Sequence, residues 1–139
     1  MKQIIIIICL AFFSCNIFSQ KRGDTKIQIT LPNEISAFTA LKRTLINNDF
    51  LIKDLGVEDS IATYPRELMG MAGFAILHAN ISGQTITLFG SYGLKKIDFA
   101  GYNSGTNKYL NIYYYPLSKT WKLLNKIAKE VGGDIVYTK

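Results

Sequence analysis

His78 is the only imidazole in 139 residues. A metal centre built on two histidines is therefore excluded, and any serine or threonine nucleophile would have to be activated by this one ring. The hydroxyl expected nearest to it is Thr87, across a hairpin. No G-x-S-x-G elbow supports such a pair: Gly101-Tyr102-Asn103-Ser104-Gly105 carries its serine one position too late. Gly90-Ser91-Tyr92-Gly93 lacks the lysine and following helix of a phosphate loop. Asp54, Glu58 and Asp59 lack the alternating oxygen ligands and fixed glycine of a calcium loop. The expected role of His78 is that of a sheet histidine bonded to a cross-strand hydroxyl or to water. No catalytic residue, metal or cofactor is expected.

Two other groups of side chains could recognise a ligand. Lys119, Lys122, Lys126 and Lys129 fall within an arc of about 80 degrees on a C-terminal helix, a stripe that could meet an anionic partner. The chain carries 16 lysines and arginines against 10 acids, a net charge of +6, and Lys95, Lys96 and Lys108 lie near tyrosines. Nucleic acid is nevertheless not expected, because the N-terminus directs the chain out of the cytoplasm. The second group is Tyr102, Tyr113 and Tyr115 with Asp98, the basis of an alternative reading as a small envelope hydrolase or glycan-acting protein. That chemistry requires two carboxylates at a suitable separation.

Residues 1–19 have the three parts of an export signal: Lys2, an apolar run from Ile4 to Phe13, and a small-residue end at Ser19. Cleavage after Ser19 would release the protein to the periplasm or beyond. Phe12-Phe13-Ser14-Cys15 resembles a bacterial lipobox, so the alternative is a signal over 1–14 with Cys15 lipidated at the outer membrane. Membrane association is expected only by that route. Cys9 and Cys15 are the only cysteines, which leaves the mature domain without a disulfide and dependent on its core.

The elements that would position these residues follow from periodicity. Residues 20–24 form a polar lead-in, expected to be flexible, which contains the adhesion-like tripeptide Arg22-Gly23-Asp24. Thr25 to Leu31 alternates as a half-buried strand. Ile35, Phe38, Leu41 and Leu45 recur at helical spacing up to Asn47-Asn48, with Pro32 or Asn33 opening the helix. Phe50 to Ile52 and Ser60 to Tyr64 are two further strands. Phe74 to Ser91 contains two strand-like runs about a turn placed at Ser82-Gly83, which pairs His78 with Thr87, Ile76 with Phe89, Phe74 with Ser91 and Asn80 with Thr85. A tyrosine-rich segment follows, with a possible edge strand from Tyr109 to Tyr115. Ser118 caps a second helix that buries Leu117, Trp121, Leu124, Ile127, Ala128 and Val131 and stops at Gly132-Gly133. Asp134 to Lys139 is a short strand-like tail.

The result is a single α+β domain over 25–139, an antiparallel sheet of about four to six strands with two helices packed on one face. The element order over Thr25 to Val131 resembles the TATA-binding-protein-like fold, β-α-β4-α, which also occurs in small exported bacterial proteins of unknown function. The resemblance implies a fold and no DNA binding. The uncovered sheet face, with Phe74, Ile76 and Phe89 as its apolar part and His78, Thr85 and Thr87 as its polar rim, is the expected contact surface of a non-catalytic accessory or binding domain. Its partner is expected to be a protein or another component of the envelope.

Overall fold

The computed structural model describes residues 19–69, 73–94 and 109–139. The expected signal and Cys15 lie outside them, as do Lys95, Lys96, Asp98, Tyr102 and Lys108. The elements are β1 (Lys26–Thr30), α1 (Ala37–Asn47), β2 (Ile52–Lys53), β3 (Ser60–Thr63), β4 (Arg66–Glu67), β5 (Gly73–Ser82), β6 (Thr85–Leu94), β7 (Leu110–Asn111), α2 (Lys119–Val131) and β8 (Asp134–Thr138). The α+β class holds. The sheet is antiparallel, but its described strands number eight, in the order β2-β3-β5-β6-β1-β8 with β4 on β5 and β7 on β6. Its hairpin strands are ten residues each, long enough for two short neighbours end to end. β5 takes β3 near the turn and β4 near its base, while β6 takes β1 near the turn and β7 near its base.

At the gap between β3 and β4 a side chain replaces a ladder bond, since the Leu77 N–H donates to Thr63 Oγ1 at 2.9 Å. Thr63 is fully buried, so this bond satisfies a donor that water cannot reach.

The hairpin turn is Gly83-Gln84, flanked by the pair Ser82 and Thr85. Gly83 has φ of 57°, the conformation that a type II′ turn needs at its first central position. The expected turn at Ser82-Gly83 therefore moves one residue along, and every partner moves by two. His78 faces Phe89, Ile76 faces Ser91, Phe74 faces Gly93, and Thr87 faces Asn80. Because the shift is even, each side chain keeps its expected side of the sheet.

One side is the core face. Ile27, Ile29, Leu77, Ala79, Ile86 and Leu88 pack there against Leu41 and Leu45 of α1 and Trp121, Leu124 and Ile127 of α2. Ser36 Oγ accepts from Thr39 N, so α1 starts after Ser36 and not at Pro32 or Asn33. Ile35 consequently precedes the cap and is exposed. Ser118 caps α2 in the same way, through the Trp121 N–H at 3.2 Å. Leu117, expected in the core, precedes that cap at a φ of 75° and is 83% exposed. Where α1 ends, buried Asn48 donates to Thr44 O and to Glu130 Oε2 and accepts from Lys126 Nζ, tying the two helices together.

The lead-in expected to be flexible is hydrogen-bonded. Gly23 N–H donates to Tyr114 O, Tyr114 N–H to Asp24 O, and Lys21 N–H to the Asp24 carboxylate. Asp24 is buried and Arg22 lies over the Tyr115 ring. The Arg22-Gly23-Asp24 tripeptide thus does not present its carboxylate to a receptor.

Candidate functional site

Both helices lie on the core face, so the opposite, outer face is built by strands alone. Strand alternation and the register place Phe74, Ile76, His78, Thr85, Thr87 and Phe89 on it together, all half-buried among their neighbours. The segments that might have folded over this face join the sheet instead: β7 continues the line of β1 along β6, and the tail becomes β8 beside β1.

Two ladders cross the outer face. The first runs Lys53, Ala62, His78, Phe89, Lys26, Thr138, and the second runs Ser60, Asn80, Thr87, Gln28, Val136. His78 and Phe89 stack, with centroids 5.5 Å apart and planes at 19°. The small side chain of Ala62 leaves room for Lys53 to act on His78, and the Lys53 ammonium also sits 5.3 Å from the centroid of the Tyr64 ring. Lys26, Lys53, Gln28 and Asn80 belong to this surface but were not legible as site residues. The alternation of Thr25 to Leu31 assigns Lys26 and Gln28 to a polar side, yet only the pairing of β1 with β6 sets them beside Phe89 and Thr87. Tyr109 is a further addition: a Cβ on Gly93 would meet its ring at 3.0 Å.

Burial, and after it the nearby Lys53 ammonium, hold the His78 pKa below its ordinary 6.5. The neutral ring has one donor and one acceptor nitrogen. Between the lowered value and 6.5 the unfolded chain binds a proton that the folded ring refuses. This contribution to stability is therefore complete above pH 6.5 and declines as pH falls through 6.5 toward the folded value. As the only histidine, His78 gives one imidazole Cε1–H resonance. Its NMR midpoint is expected below 6.5 and is expected to rise in Lys53→Ala. A midpoint at or above 6.5 in the parent chain would contradict this electrostatic account.

The lysines of α2, Lys119, Lys122, Lys126 and Lys129, are all exposed. Lys126 is engaged by Asn48 at 2.9 Å and by Glu130 at 3.5 Å, so a carboxylate interrupts the stripe near its C-terminal end. Tyr113 and Tyr115 do come together, with Tyr92, Ser118, Lys119 and Thr120, around a cavity of about 210 Å³. Among the described residues no carboxylate lines it, so the acid pair of a glycosidase has no support there. Among the described residues, no three His, Cys, Asp or Glu side chains gather as metal ligands, and no helix is long and apolar enough to cross a membrane. Comparison of the chain with protein-family models, with curated proteins and with solved structures found no match in any of the three.

Proposed function

We propose that this chain is a non-catalytic, exported binding domain whose contact surface is the outer face of the sheet. The observation that carries the reading is the one-sided packing. Both helices sit against the core face, while Phe74, Ile76, His78 and Phe89 occupy the other with no described element laid across them. Apolar groups grouped within a polar surround are a feature of interaction sites. The expected signal supports action in the periplasm, at the surface or outside the cell, and a lipid on Cys15 would hold the domain at the outer membrane. The likeness of its element order to TATA-binding-protein-like domains is compatible with this role and is not needed for it.

A photo-crosslinking residue at Thr87, on the outer face, is expected to trap a partner in intact cells. The same residue at Lys122, on the solvent side of α2, is expected to trap little of it. Equal trapping at both positions, or trapping at Lys122 alone, would move the contact surface off the sheet.

A further inference from the structure

The two outer ladders differ in chemistry, and the difference points to a class of partner. In the first, Lys53 and Lys26 stand on either side of Ala62, His78 and Phe89. Four strand spacings of about 4.8 Å separate their backbones by about 19 Å. Between them the stacked rings turn their faces to each other and their rims outward. A phenyl rim is the positive part of the ring quadrupole, so this row offers positive potential and donors from end to end. In the second, Ser60, Asn80, Thr87 and Gln28 follow one another, and each side chain both donates and accepts hydrogen bonds. The carboxylates of this face, Glu67 and Asp134, are at its margins, opposite Phe74 and Thr30.

Resting on the reading of the outer face as the contact surface, we propose that it binds an acidic polysaccharide of the polyuronate type. Lys26 and Lys53 pair with uronate carboxylates, and Asn80, Thr87 and Gln28 bond to ring hydroxyls. Sugar hydroxyls donate and accept, as the second ladder does, and carboxylates along an extended chain match separated ammonium groups. A protein partner would call for an apolar centre ringed by polar groups. Here the apolar Phe74 and Ile76 lie toward the base of the hairpin, and short polar side chains take the middle. Nucleic acid, with a charge on every phosphate, is normally met by many cations, whereas these two ladders offer two.

The test uses protein purified from cells expressing the full chain, with immobilised polygalacturonate as probe and neutral dextran and poly-glutamate as comparisons. Saturable, salt-sensitive binding to polygalacturonate is expected, with none to dextran and weaker binding to poly-glutamate. Lys26→Glu with Lys53→Glu should raise Kd by about tenfold or more, the loss of roughly one charge contact. Thr87→Val should weaken polygalacturonate and leave poly-glutamate unchanged. Lys122→Glu with Lys129→Glu, on the helix, should change Kd by less than about twofold, far short of the loss of a charge contact. Circular dichroism of each variant checks that it is folded. Absence of polygalacturonate binding, equal binding to poly-glutamate, or loss that follows the helix lysines would overturn the proposal. If polygalacturonate fails while the Thr87 crosslinker still traps a partner, the glycan assignment falls and the contact surface stands. If both fail, both fall.

Discussion

Replacing Trp121 by alanine is expected to lower the unfolding free energy by about 3–5 kcal/mol and the melting temperature by roughly 10–25 °C. Trp121 is 2% exposed and is among the largest buried side chains. It joins three parts of the chain. Its ring meets Tyr114 at 5.8 Å and Tyr137 of β8 at 6.1 Å, and its Nε1–H donates to the Gln20 side-chain oxygen at 3.3 Å. Alanine would leave a cavity between α2 and the sheet and would also release Gln20. A domain of ordinary stability, about 5–15 kcal/mol, would lose a large part of its margin. Trp121→Phe keeps ring contacts and gives up the indole bond, so its loss should be clearly smaller. Trp121 is the only tryptophan, and unfolding must be followed by far-UV circular dichroism. A loss below about 1 kcal/mol for the alanine variant, well outside the range for buried tryptophans, would mean that the site collapses around the vacancy.

Features with a long period were legible in the sequence, and features with none were not. The apolar positions of α2 and its Ser118 cap follow from helical spacing. Leu117 sits at the right angle for the same stripe, but it precedes the cap, where helical geometry no longer applies. Ile35 went astray in the same way ahead of Ser36. In the hairpin, alternation settles which side chains are buried, while a slide of two residues leaves that pattern unchanged. Only the positive φ of Gly83 decides between turns, so the side of His78 was legible and its partner was not. β4 and β7 are two residues each and have no periodicity to detect. The lead-in was misjudged because its polar residues are held by Tyr114, which is remote in sequence. The outer face divides likewise. Its β5 and β6 members belong to one hairpin and could be grouped, whereas Lys53 and Lys26 reach it through pairings that no local pattern contains.

This dependence on register makes the junction between α2 and β8 a point of weakness. Gly132 and Gly133 both have positive φ, 85° and 89°. With ψ near −178°, Gly132 occupies a region essentially confined to glycine, so Gly132→Ala is expected to cost about 1–3 kcal/mol from backbone strain. A Cβ there meets nothing within 4 Å. At Gly133 a Cβ would stand 2.4 Å from the carbonyl oxygen of Thr30 and 3.1 Å from Leu31 Cδ2. Gly133→Ala should therefore add a steric cost of about 1–3 kcal/mol to its own strain. The clash falls where β8 enters its pairing with β1, beside the pair Thr30 and Asp134. Relief would come from β8 moving away, which would break the bond from Tyr137 Oη to Asn125 at 2.8 Å and remove Val136 and Thr138 from the outer face. Hydrogen exchange is expected to quicken at Ile135 to Thr138 in Gly133→Ala and much less in Gly132→Ala. Polygalacturonate binding should weaken in parallel if the second ladder contributes through Gln28, which β8 backs. Equal stability of the two variants would show that the close approach to Thr30 does not hold β8 in register.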